Sequence, residues 1–313
     1  MTGPLLAARA AVAALAAEPL TLLGVSGGAD SLALAMAAST LPGRFGAVIV
    51  DHSLQPGSAQ VAQQAAETCR ALGLDPVLVE KVETSSDEAS ARTARYAVFD
   101  RALHATGAPR LLLAHTRDDQ AEQVLLGLLR GSGTRSLAGM PRQRGPYARP
   151  LLELSRQDTE AICGQAGLEF WVDPSNADTS YRRNQVRHVV LPFLSGQLGA
   201  HVPEALARTA QLAAADADAL DSWARRAYAE HGTRLRELRT LPVAVASRVL
   251  RRAAVEAGGV NIGHERTGAL CALGGIGREP SKSAGPVQLE GGISAWRRNA
   301  VIVFTGTGSP PAP

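Results

Sequence analysis

The stretch TLLGVSGGADSLALA, Thr21–Ala35, decides the fold. An apolar run of strand character breaks at Ser26-Gly27-Gly28 and resumes as a helical pattern, so the loop joins a strand to a helix N-terminus. Two chemistries use a loop of this kind. Gly24-Val25-Ser26-Gly27-Gly28 satisfies G-x-S-x-G, the turn that presents a nucleophilic serine. Ser26-Gly27-Gly28-Ala29-Asp30-Ser31 reads equally as a phosphate cradle, because glycines let successive N–H groups point inward and the serines add hydroxyl donors. A lysine-bearing P-loop and a G-x-G-x-x-G loop are excluded by their spacing. Asp30 separates the two readings. A carboxylate repels phosphate unless a cation lies between them, and Mg²⁺ bridging Asp30 to the phosphates resolves that conflict. A serine nucleophile has no use for Asp30; it needs a downstream acid and histidine, and although Asp118 with His188 or His201 could be drafted in, nothing in the sequence supports that choice.

Outward from this loop, short apolar runs alternate with helical patterns. LTLLGV, GAVIVD, PVLVEKV and RLLLAH are strand-like, and the segments between them carry apolar residues at helical spacing and mostly close on glycine. This predicts an α/β fold, a doubly wound parallel sheet covered on both faces. Ligands of such sheets sit beyond the strand carboxyl ends, where Ser26, Asp51-His52 and His115 fall. After about Pro192 the pattern becomes helical, then a short β segment, PVQLEGGISAWRRNAVIVF, offers hairpin turns at Gly291-Gly292 and Arg298-Asn299. The expected organisation is a catalytic domain over 1–198, a smaller mostly helical domain over 199–306 with a terminal hairpin, and a disordered tail over 307–313. The boundary is placed in SGQLGAHVP, near 195–203.

The chain has 313 residues, 45% of them hydrophobic, enough for two cores. A net charge of +3 is compatible with an anionic partner without requiring one. Cys69, Cys163 and Cys271 are widely spaced and form neither a disulfide framework nor a C-x-x-C site. No run of about 18 apolar residues suits a membrane span, and the alanine-rich N-terminus, interrupted by Arg9 and followed by Glu18, predicts an amphipathic helix. The expectation is a cytoplasmic protein.

Four further stretches carry candidate chemistry. VDHSLQPGS ends a strand with Asp51 and His52. In EASARTARYAVFD, Arg92 and Arg95 share a helix face and suit either solvent or an anion. In HTRDDQAEQVLLGLLRGSGTRSLAGM, Asp119 and Glu122 share a face at a helix start, where acids complement the dipole or bind a metal or an ammonium group; Gly131-Ser132-Gly133 follows as a second flexible loop. WVDPSNADTSYRRNQVRH gathers Arg182, Arg183, Arg187 and His188 beside Tyr181, a mixture suited to a phosphate backbone and a stacked base, or to an exposed helix face.

Taken together, SGGADS resembles the pyrophosphate loop of the N-type ATP pyrophosphatases. The ordered set VDHSL, ARTARYAVF, HTRDDQAEQ, RGSGTRSLAGM, RPLLELSR and DPSNADTSYRRNQVRH resembles the tRNA(Ile)-lysidine synthetases. The resemblance implies a ligase that uses ATP and Mg²⁺ to adenylate carbon 2 of the wobble cytidine in a CAU-anticodon tRNA(Ile), after which free lysine displaces AMP to form lysidine, which pairs with A instead of G. It implies that Ser26, Gly27, Gly28, Ala29, Asp30 and Ser31 hold the phosphates, with Asp30 as the magnesium ligand and Asp51, His52 and His115 near the nucleotide. Asp119 and Glu122 would face the lysine ammonium and Arg95 its carboxylate, while Arg183, Asn184 and Arg187 would touch tRNA. Members commonly carry Gly-Leu-Arg where this chain has Ser53-Leu54-Gln55, which removes a charge at position 55. The alternatives are a PP-loop enzyme of tRNA 2-thiolation, whose clustered cysteines are missing here, and a non-catalytic ATP-responsive RNA-binding protein, which has no need of the Asp119–Glu122 pair.

Overall fold

The computed structural model describes residues 3–52, 57–82, 88–131 and 133–306. The expectations placed on Ser53, Leu54 and Gln55, on Ser132 and on residues 307–313 lie outside the described residues. Along the chain run α1 (Gly3–Ala13), β1 (Thr21–Val25), α2 (Ala29–Ser39), β2 (Phe45–Asp51), α3 (Ser58–Ala71), β3 (Val77–Lys81), α4 (Glu88–Thr106), β4 (Arg110–Leu113) and α5 (Arg117–Leu129). There follow α6 (Thr134–Leu137), β5 (Gln143–Arg144), β6 (Tyr147–Ala148), α7 (Arg156–Gln165), α8 (Arg182–Gln185), α9 (Leu191–Leu198), α10 (Val202–His231), α11 (Leu235–Leu238), α12 (Val243–Glu256), α13 (His264–Gly274), β7 (Val287–Leu289), β8 (Ile293–Arg298) and β9 (Val301–Gly306).

The chain divides into two compact units, 1–130 with 138–211, and 131–137 with 212–313. The division falls inside α10, not in SGQLGAHVP, because the helix begins at Val202 and continues past it.

In the first unit the sheet order is β3-β2-β1-β4-β6-β5, parallel except for β5. Alternation along the strands makes two cores. Leu23, Val25, Ala47, Ile49 and Leu112 pack with residues of α1, α2, α3 and α7, while Leu22, Val48, Leu111 and Leu113 pack with Val98, Phe99, Ala102 and Leu103 of α4. Leu22, Leu23, Leu111 and Leu112 are fully buried, so truncating any of them to alanine costs about 2–5 kcal/mol. The order turns back between β1 and β4, and this switch point opens a crevice at the carboxyl ends of both strands. The β5–β6 pair and α7 are additional to the elements anticipated from sequence.

The second unit buries Leu235, Leu238, Val245, Val249, Leu250, Leu270 and Leu273 against Ile293, Ala295 and Ile302 of an antiparallel β7-β8-β9 sheet. Gly291 and Gly292, both at positive φ, form the first turn as expected. The second turn lies one residue later than expected, at Asn299-Ala300. β8 stays paired through Arg298, and both turn residues adopt the left-handed conformation of a two-residue hairpin. No helix of the described residues is long and apolar enough to cross a membrane.

Candidate active site

The loop after β1 is built as a cradle. Gly27 has φ +84°, and a Cβ there would stand 3.3 Å from Val61 Cγ1, so the turn requires glycine. Ser31, buried in the first turn of α2, braces it: its Oγ accepts the Ser26 N–H at 3.1 Å and donates to Gly28 O at 2.9 Å. Ser26 is exposed. The Trp171 N–H donates to Gly27 O at 3.0 Å, which ties the loop to the segment after α7.

A cavity of about 420 Å³ opens beside this loop. Ser26, Asp30 and Ser31 line it at one side, Asp51, His52 and His115 stand at the strand ends, Arg95 and Tyr96 come from α4, and Trp171, Asp173 and Ser175 close the remaining wall. Seven of the residues anticipated from sequence therefore meet here: Ser26, Asp30, Ser31, Asp51, His52, Arg95 and His115. Gly27, Gly28 and Ala29 shape the turn without lining the cavity.

Asp119 and Glu122 lie at the start of α5, beside the cavity. Asp119 serves two purposes. Its Oδ2 accepts the Thr116 N–H at 2.8 Å and the Thr116 hydroxyl at 3.1 Å, capping the helix, while its Oδ1 faces arginine. Glu122 is fully buried, and its two oxygens accept Arg187 Nε at 2.6 Å, Arg187 Nη2 at 3.1 Å and Arg183 Nε at 2.8 Å. Arg183 Nη2 and Arg187 Nη2 reach Asp119 Oδ1 at 3.0 and 3.2 Å. Arg183 and Arg187, expected at an RNA surface, thus stand against the two acids. Asn184 lies between them in sequence and donates its amide to Ser175 O and Asp178 O, each at 2.9 Å.

Two residues of α7 were missed by sequence reasoning. Arg156 lies 3.9 Å from Asp30, 3.7 Å from Asp119 and 3.8 Å from Glu122, spanning cavity and acids. Thr159 Oγ1 lies 2.5 Å from Asp30 Oδ1. The start of α7 was legible in Ser155-x-x-Asp158, whose side chains cap the helix reciprocally, but a contact across 129 residues was not.

Burial sets the charges. It pushes the Asp30 carboxyl up to about 6, with Asp119 adding to the rise and Thr159, Arg156 and Arg187 opposing it. Asp119 is held below the carboxylate range, because Arg183, His115, the Thr116 N–H and Arg156 outweigh burial. His115 is pushed down to about 4 by burial and by Arg149, Arg183 and Arg95, and is neutral at pH 7. His52 is lowered by burial and Arg95. The Nδ1 atoms of both histidines are buried with no partner among the described residues, as befits groups that meet a ligand.

The His115 shift has a sign that can be checked. The fold disfavours the imidazolium, so stability is present above pH 6.5 and is lost as pH falls toward 4. The loss amounts to about 3 kcal/mol. Urea midpoints of wild type and His115→Gln are expected to converge or cross between pH 7 and 4.5, the variant falling less; parallel curves would contradict the assignment.

A switch-point loop of serines and glycines closed by an acid, opening on a cavity at the strand ends, marks an α/β protein of the PP-loop class, and a family model described as the PP-loop domain matches residues 7–194. A tRNA(Ile)-lysidine synthase of Leifsonia xyli subsp. xyli is 46% identical over 306 residues, 93% of this chain and 91% of that protein. Its counterpart in Streptomyces coelicolor is 51% identical over 259 residues, 78% of this chain and 74% of the relative. The chain belongs to the tRNA(Ile)-lysidine synthase family, and is an enzyme of that type. Among solved structures, a U34-tRNA thiolase from Methanococcus maripaludis with its [4Fe-4S] cluster superimposes with a TM-score of 0.53 at 15% identity, covering 66% of this chain and 77% of that one, a likeness of fold alone.

Proposed function

We propose that this enzyme joins free lysine to carbon 2 of the wobble cytidine of a CAU-anticodon tRNA(Ile), through an adenylated tRNA, and so converts decoding from AUG to AUA. In the first step the oxygen on carbon 2 attacks the α-phosphorus of ATP and pyrophosphate leaves. In the second, the lysine amine attacks carbon 2 and AMP leaves. The observation that carries the reading is the pairing, in one unit, of a phosphate cradle opening on the 420 Å³ cavity with two buried carboxylates beside it.

The loop N–H groups and the Ser26 hydroxyl would hold the phosphates. His52 and His115, neutral at pH 7, would offer hydrogen bonds without adding charge. Asp119 and Glu122 would receive the lysine ammonium and Arg95 its carboxylate. Arg183, Asn184 and Arg187 remain candidates for tRNA contact once the substrates are in place.

The donor set fits Mg²⁺. Asp30 is a desolvated carboxylate on the cavity wall, and no group of three or more His, Cys, Asp or Glu among the described residues is placed to hold a metal ion by itself. One carboxylate plus substrate phosphates is how Mg²⁺ is commonly held. When bound there it would neutralise charge on the departing pyrophosphate.

Pyrophosphate release tests the first step. With Mg-ATP and the isoleucine tRNA transcript, but no lysine, release is expected to be stoichiometric with tRNA and absent without it; lysine-independent turnover without RNA would contradict the reading. Ser26→Ala distinguishes cradle from nucleophile. One donor among several is worth about 1–2 kcal/mol, so roughly a tenth of the rate should survive, whereas a lost nucleophile would leave about a millionth.

A further inference from the structure

The two acids read above as receivers of the lysine ammonium already hold cations. Asp30, Asp119 and Glu122 face Arg156, Arg183 and Arg187, three carboxylates against three guanidinium groups. An ammonium added to this balanced, mostly buried cluster leaves one positive charge in excess, so a resident cation must leave as it enters. Arg156 stands 3.7 and 3.8 Å from Asp119 and Glu122, so the ammonium position is filled by the two guanidinium groups that hydrogen-bond both acids, and of these Arg183 is the one placed to leave. Arg187 grips Glu122 with two nitrogens and its side chain is 17% exposed, whereas Arg183 gives each acid one contact and is 27% exposed.

Arg183 is also wired to the cavity. It sits in α8, a four-residue helix preceded by an exposed run from Asn176 to Tyr181. The Asn184 amide fastens α8 to the carbonyls of Ser175 and Asp178, Ser175 lines the cavity, and Trp171 at the head of that segment bonds Gly27 of the cradle. A nucleotide entering the cavity meets the same segment that carries Arg183, and brings phosphates able to take its charge.

We propose that Arg183 is a counter-ion that occupies the ammonium position while the cavity is empty and yields it when a nucleotide's phosphates draw the arginine away, so that lysine binding is conditional on the nucleotide. The inference rests on Asp119 and Glu122 being the lysine site. It makes the two substrates reciprocally cooperative: whatever factor the nucleotide adds to lysine affinity, lysine adds to nucleotide affinity. It also fixes a useful order, since lysine settles only where an electrophile can be made.

The test is calorimetric titration of lysine into the full-length protein, alone and with Mg²⁺ and α,β-methylene-ATP. In wild type the nucleotide should tighten lysine binding by about tenfold or more. Arg183→Met, which removes the competing cation and leaves Arg187 and Arg156 on the acids, should bind lysine without nucleotide more tightly than wild type, with the coupling reduced toward one. Asn184→Ala keeps the ion cluster and loosens the tie, so it should lower the coupling without abolishing lysine binding. Equal lysine affinity in wild type with and without nucleotide, or undiminished coupling in Arg183→Met, would overturn the proposal. Asp119→Asn separates the two levels: lost lysine binding in the nucleotide-loaded variant supports the site, and unchanged binding defeats the site itself, whatever the coupling in wild type.

Discussion

Asp119→Asn is expected to slow lysine transfer by about a hundred- to a thousandfold, the range for removing one preorganised electrostatic contact from a buried site, while tRNA-dependent pyrophosphate release stays within a few-fold of wild type. The substitution is selective because the carboxylate has two faces. An asparagine Oδ1 can still accept the Thr116 N–H that Asp119 Oδ2 accepts at 2.8 Å, so α5 keeps its cap. What is lost is the negative charge that Arg183 and Arg187 meet at 3.0 and 3.2 Å, the charge an ammonium group would use. Labelled-lysine incorporation and pyrophosphate release, measured on the same preparation, read the two steps separately. A parallel fall in both would mean that Asp119 acts on the nucleotide, and no fall in either would remove it from the site.

Glu122→Ala carries the largest expected cost in stability. The side chain is fully buried and satisfies three guanidinium contacts between 2.6 and 3.1 Å. Deleting one partner of a buried pair leaves the other desolvated, at a cost of about 3–5 kcal/mol. For a chain of this size that lowers the melting temperature by roughly 10 °C. Glu122→Gln preserves volume and two hydrogen-bonding atoms, and should lose less stability than the alanine variant while losing lysine transfer to a similar extent. Scanning fluorimetry decides the first point: a melting temperature within about 2 °C of wild type for Glu122→Ala would show that the arginines find other partners.

Local signals made much of this molecule legible. Every strand from β1 to β4 followed from a short apolar run, and α2 to α5 followed from helical spacing that mostly ended on glycine, because buried parallel strands and amphipathic helices carry different periodicities. The cradle was legible for the same reason, since Gly27 and Asp30 announce a backbone conformation and a charge problem within six residues. Long-range pairing was not. Nothing near Thr159 or Arg156 indicates that α7 packs against α2 and reaches Asp30. The arginines of RRNQVRH look like a solvated or RNA-facing cluster by composition, and only the fold shows that Arg183 and Arg187 turn inward to acids more than sixty residues earlier in the chain. The hairpin turn slipped by one residue because both Arg298-Asn299 and Asn299-Ala300 contain the one residue type there that tolerates positive φ well, and strand pairing makes the choice.

The measurement closest to the central claim combines the protein with Mg-ATP, labelled lysine and a CAU-anticodon isoleucine tRNA transcript, with methionine tRNA, which shares that anticodon, as control. Label is expected in the isoleucine tRNA alone, on the wobble cytidine, with one AMP formed per lysine joined. Label in neither RNA would contradict the reaction, and label in both would contradict the assigned substrate.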